Sequence, residues 1–222
     1  MSIIKKIINS LKKSMTNPKT YYLIEFRFTG KAKKTLKDKI WHVSKKFKVK
    51  GVTAKRVVPH ITLFGPFHTK QERKMIDTVQ KVCQKYEFIN FELTGFGRFD
   101  ERVIYVNIKP SNQLIQLRKE LFEELSKISI TNHTDFLDEF KFHATIAFKD
   151  IGNKFDKIWD YLNKTNPPKM KQTLLRATIL KKSKILYEYD FMQKRMLNRK
   201  QALNRKITQK TINILKSKKT KT

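Results

Sequence analysis

The sequence predicts a mixed α+β fold made of two similar halves. Three observations carry this reading. Apolar residues recur with period two in some stretches and with period near 3.6 in others, and the two kinds alternate along the chain. A His-x-Thr set in an apolar strand occurs twice, as Pro59-His60-Ile61-Thr62-Leu63 and as Phe142-His143-Ala144-Thr145-Ile146, 83 residues further on. The elements around the two copies repeat in order, β-α-β-α-β and then β-α-β-α-β-β, with His-x-Thr on the second strand of each half.

Composition bounds the possibilities. With 222 residues, one domain or two small lobes fit. An apolar fraction of 39% and an aromatic fraction of 11% suffice for a packed core, and six glycines and six prolines leave little for long linkers. The net charge of +31 points to a polyanionic partner, nucleic acid first. A genome biased toward Lys, Ile and Asn codons is the competing explanation. Cys83 is the single cysteine, which excludes an internal disulfide and any cysteine-based zinc cluster. No apolar run approaches the roughly 20 residues of a membrane span. The first fifteen residues are interrupted by Lys5, Lys6, Asn9, Lys12 and Lys13, unlike a signal peptide. The expectation is a cytoplasmic monomer.

Three segments follow along the chain. Residues 1–16 carry Ile3, Ile4, Ile7, Ile8, Leu11 and Met15 on one helical stripe with lysines opposite. This basic amphipathic helix either docks on the body or lies on a membrane or RNA. Residues 17–192 form the body. Tyr21 to Phe28 alternates as a strand, with Tyr22, Ile24, Phe26 and Phe28 on one face and Glu25 and Arg27 on the other. Leu36, Ile40, Val43 and Phe47 mark a helix, and the first His-x-Thr strand ends at Gly65-Pro66. Thr69-Lys70-Gln71-Glu72 reads as a capping box opening a helix to about Tyr86. Phe88–Thr94 and Arg102–Lys109 are strands, and Ser111 caps a helix striped with Leu114, Leu117, Leu121 and Leu125. The second His-x-Thr strand follows a polar loop. Next come a helix with Phe155, Ile158 and Leu162, and a hairpin turning at Lys181–Lys184. Residues 193–222 hold eleven Lys and Arg and no acidic residue, and read as a basic, partly helical tail, frayed at its end.

The chemistry lies in the paired motif. Side chains alternate across a strand, so each copy shows an imidazole and a hydroxyl on one face, about 7 Å apart. Two imidazoles can serve as base and acid near neutrality. That pair suits in-line displacement at phosphorus, with Thr62 and Thr145 donating to the non-bridging oxygens. The same residues make a poor zinc site, since no carboxylate or thiolate cluster completes it, so neither metal nor cofactor is expected. In a chain with five histidines, about half a His-x-Thr is expected by chance. Two copies at matching places in two half-chains are a stronger signal. The competing reading is a pair of partly buried histidines beside threonines chosen for strand propensity.

On these motifs the chain resembles the 2H phosphoesterase superfamily, in its group of 2′-5′ RNA ligase-like and RNA 2′,3′-cyclic phosphodiesterase proteins. Pro59-His60-Ile61-Thr62-Leu63 with Gly65-Pro66-Phe67 matches closely; Phe142-His143-Ala144-Thr145-Ile146 lacks the proline often found before the second His. The resemblance covers about residues 20–191. It implies a bilobal α+β fold, two pseudo-twofold-related antiparallel sheets with outer helices and a central groove. It also implies metal-free phosphodiester chemistry by His60, Thr62, His143 and Thr145. Family members often carry a basic residue soon after the second motif. Phe148 takes that position here and Lys149 follows, which makes Lys149 a candidate for phosphate steering. By strand alternation Arg27, Tyr105 and Arg176 face either the groove or ordinary sheet surface, and Tyr105 could stack on a base. The expected activity is hydrolysis of RNA 2′,3′-cyclic phosphate ends to 2′-phosphates, with 2′-5′ ligation as the reverse use of one groove. Cleavage of 2′-5′ oligoadenylate or of RNA 3′ ends, and RNA binding without turnover, are the alternatives.

Overall fold

The computed structural model describes residues 20–51, 57–131 and 140–220. The expected helix over 1–16 lies outside them, as does most of the polar loop ahead of the second His-x-Thr strand. In chain order the elements are β1 (Tyr22–Arg27), α1 (Gly30–Phe47), β2 (His60–His68), α2 (Glu72–Cys83), β3 (Asn90–Phe99), β4 (Val103–Pro110) and α3 (Asn112–Ser126). They continue as β5 (Ile130–Thr131), β6 (His143–Phe148), α4 (Phe155–Asn163), β7 (Lys169–Thr173), β8 (Arg176–Lys181), β9 (Lys184–Asp190), β10 (Arg195–Asn198), α5 (Arg199–Ala202) and α6 (Arg205–Lys219).

The strands form two antiparallel sheets, ordered β10-β9-β8-β1-β2-β5 and β6-β4-β3-β7. The central threes, β8-β1-β2 and β3-β4-β6, are equivalent in the two halves. The sheets, however, are not the two halves of the sequence. Each half places its third strand in the other sheet: β3 pairs with β4, and β8 pairs with β1. The first helix of each half crosses as well, since α1 packs on β6 and α3 packs on β2. The duplication read in the sequence is therefore present as an exchange, which ties the lobes together.

Burial follows the alternation. Ile24 and Phe26 on β1, and Ile61 and Leu63 on β2, are buried on one face. Ala144 and Ile146 on β6 are buried likewise, while His60, Thr62, His143 and Thr145 are half-exposed. Leu36, Ile40 and Val43 of α1 pack inward, and Ser111 caps α3 by accepting from the Leu114 N–H. One apolar core runs through both lobes. Phe91 of β3 joins them, meeting Phe26 edge-on at 5.4 Å and Phe28 at 6.1 Å. Its ring is 2% exposed, so Phe91→Ala should cost about 3–5 kcal/mol. A urea melt would show this as a lowered midpoint with an unchanged slope.

Some elements depart from expectation. Lys169–Thr173 pairs with β3 as an edge strand although it is largely polar. Thr69 donates to the Ile128 carbonyl and accepts from the Gln71 N–H, while Glu72 turns to Tyr22 and Lys181, so no capping box forms. The β8–β9 hairpin turns through Lys182 and Ser183, both with positive φ, as a two-residue hairpin requires. Within the tail, residues 195–198 extend the first sheet and α6 docks on the body. Leu197, Ala202, Ile207, Leu180, Ile185 and Leu23 form a second, smaller apolar cluster there. The tail's few apolar residues suffice because sheet pairing positions them. Among the described residues no helix is long and apolar enough to cross a membrane.

Candidate active site

β2 and β6 belong to different sheets but approach one another between the lobes. Each opens with its histidine and carries its threonine two residues on, with the same alternation of half-exposed and buried positions. The two imidazoles are also held alike. His60 Nδ1 lies 2.9 Å from the Val58 carbonyl, and His143 Nδ1 lies 2.8 Å from the Lys141 carbonyl, each two residues upstream. A carbonyl only accepts, so Nδ1 carries hydrogen in both rings, and any proton transfer falls to Nε2.

The surroundings of the two rings differ. Beside His60, the Glu25 carboxylate is 3% exposed, with one oxygen 3.7 Å from His60 Nε2. Its other oxygen accepts from Arg27 Nε at 2.6 Å. Glu25 is thus the counter-ion of Arg27 and, when His60 is protonated, of His60 also. Beside His143 stand Phe99, edge-on at 5.0 Å, and Tyr105 at 5.2 Å. Tyr105 is fully buried and donates to the Arg98 carbonyl. A ring with no exposed face cannot stack on a base; Tyr105 instead backs the His143 imidazole. Gly97 makes this possible, because a Cβ there would come within 2.5 Å of the Tyr105 ring and 2.7 Å of Asn107.

The basic candidates separate. Arg27 reaches the His60 side with 22% of its side chain exposed. Lys149 follows β6 in a left-handed turn (φ 71°), exposed, with Nζ 5.0 Å from the Phe148 ring. Next to it, Asp150 accepts from the Lys50 and Gly51 N–H groups, which hold its carboxyl below the usual range and pin the chain ahead of β2. Arg176 is spent internally. It donates to Asp190, Glu188, the Ala202 carbonyl and Thr211, and only 12% of its side chain is exposed. That leaves it little to offer a substrate, contrary to the groove role considered for it. Glu25 is the site residue that sequence reasoning passed over. Its signal was a carboxylate two positions from Arg27 on the polar face of β1.

Two matched His-x-Thr strands, one in each of two exchanged sheets, thus come together between the lobes, as the resemblance to the 2H phosphoesterases implies. The model of the 2′-5′ RNA ligase superfamily matches residues 36–182, and the chain belongs to that family. Among solved structures, TT0787 of Thermus thermophilus is similar over 77% of this chain and 97% of its own, at 15% identity and a TM-score of 0.54. E. coli LigT, solved with ATP, aligns over 80% of this chain and 92% of its own at 16% identity and a TM-score of 0.46. Usb1 of Kluyveromyces marxianus aligns over 75% and 95% at 10% identity and a TM-score of 0.42. No curated protein matches the chain. At the level of the family, the protein is an enzyme of phosphoesterase and RNA ligase-like chemistry.

Proposed function

We propose that the protein is a metal-independent phosphodiesterase that opens 2′,3′-cyclic phosphates at RNA ends and leaves a 2′-phosphate. The observation that carries this reading is the matched pair of imidazoles. Each is anchored through Nδ1 to a carbonyl two residues upstream, which fixes the tautomer and makes Nε2 the proton-transferring nitrogen, on a strand that carries a threonine two residues on. Water attacks phosphorus and His143 Nε2 takes its proton. His60 Nε2 protonates O3′ as the P–O3′ bond breaks. The Glu25 carboxylate at 3.7 Å supports His60 as the acid, because it is a counter-ion for the protonated ring. Thr62 and Thr145 donate to the non-bridging oxygens, where charge builds up. Arg27 and Lys149 draw the phosphate in. With an RNA 5′-hydroxyl as the second substrate, the same set of groups would make or break a 2′-5′ linkage.

The test is phosphorus NMR of adenosine 2′,3′-cyclic phosphate and of a short RNA ending in a cyclic phosphate, with EDTA present. A 2′-phosphate product is expected. A 3′-phosphate, a requirement for added Mg²⁺ or Zn²⁺, or no reaction on either substrate would overturn the reading.

The tail helix supports an RNA rather than a mononucleotide substrate. Its apolar and buried positions Ile207, Thr211, Ile214 and Leu215 face the body, which leaves Lys206, Lys210 and Lys216 exposed. Replacing those three by Gln should leave the docking intact and weaken RNA binding. The slope of log K against log salt should shrink by about 2 if each lysine meets one phosphate of a single strand. An unchanged slope in a filter-binding titration would assign this charge a role other than RNA contact.

A further inference from the structure

The polar face of the first sheet does not stop at the histidine. In register, Thr62 lies opposite Glu25, Glu25 opposite Thr178, and Thr178 opposite Glu188. The next row holds His60 opposite Arg27, and Arg176 opposite Asp190. Two polar rows therefore cross four strands, and at about 4.8 Å per strand Arg176 stands roughly 10 Å from His60. Buried polar rows are costly unless they are paired, and an apolar sheet face would have held α5 and α6 as well.

A cavity of about 330 Å³ opens on this face, at the small end of the range for ligand pockets. Its mouth has Arg27 and the exposed Lys33, and Val58, whose carbonyl anchors His60. Its floor is Thr178, Glu188 and Thr211, all nearly or fully buried. Phe28, Leu175 and Leu203 give it apolar walls. Its roof, Ala202 and Thr208, comes from residues beyond the 36–182 that match the family.

The mouth is cationic; Arg176 also lines the cavity, but its N–H groups go to Asp190, Glu188, the Ala202 carbonyl and Thr211, which leaves the floor chiefly acceptors to offer. Glu188 takes one hydrogen bond on each oxygen, from Arg176 at 3.0 Å and from Thr178 at 2.9 Å, and each oxygen keeps a further lone pair. Such a floor disfavours phosphate and suits a flat group that bears N–H donors. We propose that this cavity seats the nucleobase of the nucleotide whose phosphate lies between the histidines, and that it selects bases with an exocyclic amine over uracil. The inference rests on the phosphodiesterase reading for its orientation. The tail then acts as part of the substrate site, closing the base pocket from above.

The experiment is calorimetric titration of the full chain with adenosine 2′-phosphate, uridine 2′-phosphate and inorganic phosphate, with hydrolysis of the cyclic phosphates measured in parallel. Adenosine 2′-phosphate should bind at least about tenfold tighter than the other two, since a base without the amine leaves the remaining Glu188 lone pairs unmatched. Thr208→Trp fills the cavity from α6, and Leu203→Trp blocks it from a position already 60% exposed, where folding is not at risk. Each should remove most of that preference. Equal binding of the adenosine and uridine products, or wild-type preference in both variants, would overturn the pocket. Hydrolysis without base preference leaves the phosphodiesterase reading standing and removes this one. Base preference without hydrolysis does the reverse.

Discussion

His60→Ala and His143→Ala will each lower turnover of a 2′,3′-cyclic phosphate by about 10²–10⁴-fold, the usual worth of one positioned acid or base. Both imidazoles stand half-exposed at the first position of their strands, ahead of the buried Ile61 and Leu63, or Ala144 and Ile146. Truncating them leaves the core packing in place, so the melting temperature should hardly move while kcat falls. Because the two groups act in one proton-transfer event, the double variant should lose much less than the product of the two single losses. The wild-type rate should trace a bell with pH, and each single variant should lose one limb. Full additivity of the two losses would mean that the histidines act in separate steps. A loss confined to KM would make them binding groups rather than proton carriers. Thr62→Val and Thr145→Val should reduce kcat by less, since each removes one hydroxyl donor and keeps the strand.

The quartet was legible because it is a local pattern. Alternation in a strand fixes which side chains share a face, and burial respects it at both His-x-Thr copies. Which strand lies beside which is a non-local matter, and there the sequence was silent. Nothing in Phe88 to Thr94 or in Arg176 to Lys181 says that each will join the sheet of the other half. Lys169–Thr173 has the composition of a loop and becomes a strand only because β3 offers it an unpaired edge. Tyr105 shares its strand face with Asn107 as alternation requires, yet Gly97 lets both lie flat across β3, where the ring is covered. Glu25 was visible on its face, but its meaning needs the pairing of Arg27 with His60, which the structure supplies.

Arg176→Ala will act on stability before it acts on substrate. The guanidinium reaches Asp190 through Nε at 2.9 Å and Glu188 through Nη1 at 3.0 Å. Its Nη2 donates to Thr211 of α6 at 3.2 Å, and Nη1 also meets the Ala202 carbonyl. Removing it leaves two carboxylates, 5% and 0% exposed, without their counter-charge. The expected cost is about 3–5 kcal/mol, read as a lowered urea midpoint. Arg176→Lys should recover only part of it, because one ammonium cannot donate in a fork to Glu188, Asp190 and Thr211 together. The loss comes from the orphaned acids rather than from the pair's own worth, so Glu188→Gln added to Arg176→Ala should restore stability in part. A substrate contact would look different: KM would rise, stability would hold, and Glu188→Gln would give no rescue. Since Arg176 ties α6 to the sheet through Thr211, its loss should also loosen the tail, and amide exchange in α6 should rise while β2 and β6 keep their protection.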